Sequence, residues 1–313
     1  MDLPDWLAGA GIQDNPYRDA EWLSEDTYVW RTNRESIIDI GNSFFSKESQ
    51  IMLVVGDFGL GKGALKHAVM SVIKETALEK QKKVEFIVLE QAEWTKLQFY
   101  KELAKKLGTR DDGDTYRVRS NIEAAIQSRV NMNVELLVIV DDAHFLKSSA
   151  YDAIKHVSDL EVGGKKVCPV LLLGYYNVAE QLKKGDLAQV ADRIHLRRKL
   201  NLFTQRDLLE YIARTLQYGK GKSLPVKYEF PIQDAAAVAA ELPKLQPFTQ
   251  QAVARIYTLS RNPRLVRLIC AEAFKVQAKG ADALKAPDRF KVTSKVIDKA
   301  WEAIKLREEA REN

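Results

Sequence analysis

The chain has 313 residues, with 46% apolar and 29% charged side chains, the composition of a folded globular protein with one large core or two modest ones. Its net charge of +5 leans basic, which suits a polyanionic partner without demanding one. No apolar run approaches the roughly 18 residues that a membrane-spanning helix needs, so a helical membrane protein is excluded.

Residues 1 to 35 read as a polar and aromatic lead-in. Its start, "MDLPDWLAGAG", carries acids and lacks the basic region of a signal peptide, which points to the cytoplasm. "DNPYRDAEWL" marks a turn, and "RESIIDIGNSFFS" places Ile37, Ile38, Ile40, Phe44 and Phe45 at helical spacing. Four runs then fit buried parallel strands, each followed by a helical segment: "IMLVVG" from residue 51, "VEFIVLE" at 84 to 90, "VELLVIVDD" at 134 to 142 and "CPVLLLG" at 168 to 174. This alternation predicts an α/β fold with a parallel sheet covered on both faces. By about residue 220 the strand pattern stops, and the Gly-, Lys- and Pro-rich "YGKGKSLPVKYEFP" forms a boundary. Four helical segments follow, punctuated by Pro243, Pro247, Pro263 and Pro287. The expected organisation is a lead-in at 1–35, an α/β domain at 36–222 and a small all-α domain at 223–313. Cys168 and Cys270 lie in apolar contexts without metal-ligand spacing and read as buried intracellular thiols.

The first apolar run ends in Gly56-Asp57-Phe58-Gly59-Leu60-Gly61-Lys62, the G-x4-G-K spacing of a phosphate-binding P-loop. Such a loop works because backbone N–H groups, here continuing through Gly63 and Ala64, converge at a helix N-terminus where partial positive charge holds phosphate. Lys62 adds a point charge on the outer phosphates. The third run ends in Asp141 and Asp142, two like charges at a buried strand end, which is costly unless they serve a cation. Asp141 is the expected Mg²⁺ residue, and Asp142 stands where a water-activating acid is usually Glu.

The order of P-loop, "VIVDDAH", "CPVLLLGYYN", "ADRIHLRRKLNLFTQRDLLEYIARTL" and "FTQQAVARIYTLSRNPRLVRLICAEAF" resembles AAA+ ATPases of the ExeA/TniB/TnsC group, relatives of the origin-recognition ATPases. The likeness covers roughly residues 10 to 305, and "DNPYRDAEW" and "RESIIDI" resemble the group's lead-in. It implies a P-loop AAA+ three-layer sheet followed by a helical lid. It also implies roles: Arg264, in "NPRLVRL", as the second-sensor arginine on the γ phosphate, and Asn177 or Tyr175 as first sensor. Arg193 matches the arginine offered to a neighbouring subunit's nucleotide, with Arg197 and Arg198 close enough in sequence to serve instead. "DDAH" equally fits a DEAH helicase name, but no second helicase core follows. No N-K-x-D sequence supports a GTPase, and His67, His144, His156 and His195 are too scattered to form a catalytic grouping.

Two letters depart from the family pattern. The residue after the P-loop lysine normally offers an oxygen to Mg²⁺, and Gly63 has none; because Mg²⁺ keeps several waters, a water is expected to take that position. Asp142 is one methylene shorter than Glu. Both departures predict ATP binding with slow hydrolysis. There is no winged-helix module after the lid and no membrane span, so within the group the sequence resembles the minimal TniB/TnsC form. That resemblance implies homo-oligomers, rings or filaments, that assemble on double-stranded DNA in a nucleotide-dependent way and signal to a transposase or another effector. Lys96, Lys101, Lys105 and Lys106, with Arg117 and Arg119, are the candidate phosphate contacts, and the same residues also read as the solvated face of an amphipathic helix. The alternative is a nucleotide-gated protein scaffold without nucleic acid.

Overall fold

The computed structural model describes residues 12, 15–17, 29–47, 50–90, 93–183, 187–224, 230–232, 235–278 and 291–312. The signal-peptide reading, most of "DNPYRDAEWL", the middle of the boundary loop and Pro287 lie outside these residues. The chain divides into two compact units, one of Arg34–Phe58 and Leu65–Leu200, the other of Met1–Asn33, Gly59–Ala64 and Asn201–Asn313.

The first unit is built on a five-stranded sheet of β1 (Ile51–Val55), β2 (Lys83–Leu89), β3 (Val134–Val140), β6 (Val170–Gly174) and β7 (Ile194–Lys199). The spatial order is β2-β3-β6-β1-β7, and every pairing is parallel. The three central strands, "IMLVV", "VELLVIV" and "VLLLG", are almost wholly buried, which is why they read as continuous apolar runs instead of alternating ones. Pairs such as Leu53 with Leu172 and Val138 with Val170 fix the register.

Helices α1 (Trp30–Ser46), α2 (Lys62–Glu79), α3 (Lys96–Lys106), α4 (Thr115–Asn131) and α5 (Ser148–Ser158) alternate with the strands. In α4, Val118, Ile122 and Ile126 recur every fourth residue and are buried, each contributing about 1.5–3 kcal/mol by leaving water. Its start is fixed by Asp114, whose carboxylate accepts the Arg117 N–H at 2.9 Å. Two elements differ from the sequence expectation. A short antiparallel hairpin, β4 (Glu161–Val162) with β5 (Lys165–Lys166), precedes β6, and the last run becomes a strand only at Val170, two residues later than "CPVLLLG" begins. Two short helices, α6 (Tyr176–Gln181) and α7 (Ala188–Ala191), lead to the edge strand β7, where His195, Arg197 and Lys199 are exposed.

The second unit is helical: α8 (Gln205–Gly219), α9 (Ala235–Glu241), α10 (Gln250–Leu259), α11 (Pro263–Ala278) and α12 (Ser294–Glu312). Helix α8 opens with a reciprocal cap, the Asp207 carboxylate accepting the Thr204 N–H at 2.7 Å and the Thr204 hydroxyl accepting the Asp207 N–H at 3.2 Å. Within α8, Arg214 and Glu210 form a fully buried ion pair, Nε to Oε1 at 2.8 Å. Helices α11 and α12 are joined by a two-pronged contact from Arg307 to Glu272 at 2.7 and 2.9 Å. From the lead-in, Tyr17 is buried against Phe248 and Phe274 in this same unit. Each unit buries one cysteine, and burial raises both thiols, that of Cys168 to about 12, so they stay protonated.

Candidate nucleotide site

Between β1 and α2 the chain makes the glycine-rich turn. The Gly56 N–H donates to Gly174 O at 3.0 Å, and a Cβ on Gly56 would come within 2.9 Å of Leu200 Cβ, so packing alone requires glycine there. Gly59 and Gly61 have φ of 81° and 88°, in the left-handed region that other residues avoid. Gly59 is constrained twice over, because a Cβ would stand 2.6 Å from Asn262 Oδ1 and 2.8 Å from Arg264 Cβ.

Arg264 itself lies at the start of α11, where its N–H donates to Gly59 O at 3.2 Å and to Asn262 Oδ1 at 3.0 Å. The sequence "NPRL" explains this local geometry: Asn262 accepts from the first-turn N–H groups, and Pro263 occupies a position whose N–H would have no helical partner. The tip of the loop and Arg264 are therefore brought together, with the arginine exposed. Along the loop Asp57 and Phe58 are also exposed, Leu60 is buried, and Lys62 and Ala64 are half-buried. A Cβ on Gly63 would meet nothing within 4 Å, so no packing need excludes a larger residue there.

At the end of β3, the Asp141 N–H continues the sheet by donating to Leu89 O at 2.9 Å. Asp142 turns left-handed, with φ 53° and ψ 38°, a conformation aspartate tolerates better than most residues. Its carboxyl side chain is 44% exposed, and its N–H donates to Asp141 Oδ1 at 3.0 Å. The other Asp141 oxygen is taken by a residue the sequence reading did not single out: Lys66 Nζ donates to Asp141 Oδ2 at 2.8 Å and to Glu90 Oε1 at 2.9 Å. The Lys66 side chain is only 9% exposed. Burial alone would pull its ammonium pKa down, but the hydrogen bonds and charges of Asp141 and Glu90 outweigh that, leaving it above the ordinary lysine value and charged. The available signal was a lysine on the buried stripe of α2, between Leu65 and Val69, one turn after Lys62.

This donor set does not fit a resident Mg²⁺. In P-loop sites the metal bridges outer phosphates and is held by a hydroxyl after the lysine and by the strand-end carboxylate. Here Gly63 offers no side-chain oxygen, and both Asp141 oxygens already accept hydrogen bonds. Among the described residues, no group of three or more His, Cys, Asp and Glu is placed to hold a metal.

The remaining candidates are dispersed. Tyr175 stacks on the His144 ring, centroids 3.9 Å apart, while Asn177 is exposed at the start of α6. Arg193 Nη1 donates to Asp159 Oδ1 at 2.7 Å, Arg197 Nη2 donates to Ala191 O at 3.0 Å, and Arg198 pairs with Asp39. Lys96, Lys101, Lys105 and Lys106 lie on α3, Arg117 and Arg119 on α4. Three of these six have acidic neighbours: Lys96 with Asp152 at 3.9 Å, Lys105 with Glu102 at 2.6 Å and Arg119 with Glu123 at 2.8 Å.

A model of the AAA domain family matches residues 46–182, the segment from just before β1 through the phosphate loop, the β3 carboxylates and β6. The general secretion pathway protein A of Aeromonas hydrophila is 29% identical over 139 residues, 44% of this chain. Over these residues the chain is similar to AAA domains and to an ExeA-type secretion protein. The match spans about a fifth of that relative, 21% of its length. Solved structures agree on the fold. Aeropyrum pernix ORC2, in ADPNP-ADP complexes, superposes with a TM-score of 0.60 at 14% identity, covering 86% of this chain and 67% of that one. Cdc6p from Pyrobaculum aerophilum gives 0.61 at 11% identity, covering 93% and 71%. Aeropyrum pernix ORC1, in complex with DNA, gives 0.60 at 11% identity, covering 94% and 70%. The resemblance to origin-recognition ATPases read from the sequence therefore extends to the AAA+ fold.

Proposed function

We propose that this AAA+ protein binds ATP through residues 56–64 and Arg264. In this reading it assembles as a nucleotide-dependent homo-oligomer on double-stranded DNA, serving as a regulator or adaptor for a transposase or another effector of transposition or replication. The observation that carries the nucleotide reading is the seating of Gly59 against Arg264, which holds the loop tip in its left-handed shape and keeps an arginine beside it. The DNA reading is supported by the fold shared with ORC1 in complex with DNA and by the basic residues of α3 and α4. Their acidic neighbours are a weak obstacle, since exposed ion pairs contribute about 0–1 kcal/mol and phosphate contacts with counterion release can displace them. Those same pairs favour the second reading, a nucleotide-gated scaffold acting on proteins alone.

Gel shift and electron microscopy with a nonhydrolysable ATP analogue separate the two. Retention of duplex that requires nucleotide and falls steeply between low and moderate salt supports the first reading. Assembly indifferent to DNA supports the second.

Hydrolysis is proposed to be slow. Asp142 withdraws its carboxylate by about an ångström relative to Glu, and misplacement on that scale costs on the order of 10²-fold in rate. Asp142→Glu is expected to raise phosphate release at least about tenfold. An unchanged rate removes this explanation.

A further inference from the structure

We propose that Lys66 is the resident cation of this site: its ammonium occupies the strand-end carboxylate in the place of a divalent metal, and the chain binds nucleotide without requiring Mg²⁺. Two observations converge on this. Both Asp141 oxygens accept hydrogen bonds, Oδ2 from Lys66 Nζ at 2.8 Å and Oδ1 from the Asp142 N–H at 3.0 Å, so a metal or its water shell would meet a cation already seated on the carboxylate. Independently, residue 63 lacks the oxygen that normally completes the metal's surroundings, although a Cβ there would meet nothing within 4 Å. Both differences act in the same sense.

The ammonium is fixed and not merely nearby. Lys66 lies on the buried stripe of α2 that includes Leu65, Val69 and Ile73, and its aliphatic stem packs there while Nζ emerges between Asp141 and Glu90. A single positive charge between two carboxylates neutralises them only in part, which keeps the ammonium bound. A divalent ion brought to the same oxygens would meet a like charge at contact distance, and Mg²⁺ gives up its waters reluctantly. An ordinary structural ion pair would have the same distances, and what separates the two readings is what happens to a divalent ion when the ammonium is removed.

The first measurement is a Mn²⁺ titration of the nucleotide-free full chain followed by electron paramagnetic resonance. Wild type and Lys66→Arg are expected to show no Mn²⁺ site at the strand end. Lys66→Met, which keeps the stem and loses the charge, is expected to gain one at least tenfold tighter than any residual binding to wild type. Equal Mn²⁺ affinity in wild type and Lys66→Met overturns the proposal. The second measurement rests on the nucleotide-binding reading above and uses wild type alone, so it stands even if Lys66→Met fails to fold. Affinity for a fluorescent ATP analogue is compared in Mg²⁺ and in EDTA. A ratio within about threefold supports the proposal, and a loss of tenfold or more in EDTA overturns it. Retention of the analogue in neither condition overturns the nucleotide reading, and the Mn²⁺ titration then decides the role of Lys66 by itself.

Discussion

Lys62→Ala is expected to weaken ATP binding by roughly 10- to 140-fold, measured by calorimetric titration. The figure is the loss of charge-assisted hydrogen bonds worth about 1.5–3 kcal/mol, with 1.4 kcal/mol to each factor of ten. The loop amides would remain, so weak phosphate binding should persist. Folding should not suffer. Lys62 is the first residue of α2, and a cation at a helix N-terminus opposes the helix dipole, so alanine there is expected to leave the melting temperature unchanged or slightly higher. That separation of binding from stability is the diagnostic. Undiminished affinity would remove residues 56–64 as the triphosphate cradle.

The second large effect concerns the helical unit. Arg214→Met takes the guanidinium away from a Glu210 carboxylate whose side chain is 0% exposed, and breaking one side of such a pair costs about 3–5 kcal/mol. For a folding unit of this size that corresponds to a fall of roughly 6–20 °C in melting temperature, read by scanning calorimetry. Arg214 also donates to Leu224 O at 3.3 Å, so the chain leaving α8 loses an anchor as well. Replacing both partners, Arg214→Met with Glu210→Leu, should recover most of the loss, because well-packed apolar groups often match a buried ion pair. A single variant that melts with the wild type would mean that the pair contributes nothing.

The fold class was legible because its central strands are buried on both faces. "IMLVV", "VELLVIV" and "VLLLG" need no alternation to be recognised, and each precedes an amphipathic helix. Strand β7 was not legible in that way. "IHLRRK" is an edge strand dominated by polar and basic side chains, so no continuous apolar run announced it. The glycine-rich loop was readable as a pattern because its residues are local, all within nine positions. Lys66, Glu90 and Asp141 were not, since the ion pairs join residues 24 and 75 positions apart. A single sequence gives the identity of each partner but not that they meet. The left-handed turn at Asp142 was equally hidden, because aspartate there is compatible with an ordinary strand end.

Strand β7 has one more implication, for any assembly of several copies. An open sheet edge ordinarily invites another strand, and cationic side chains are one way such edges are kept from sticking. With Arg197 and Lys199 exposed on it, two copies approaching along this margin would bring like charges together. Extension of the sheet by another copy's strand, the route that leads to fibrous aggregates, is thereby disfavoured along this margin.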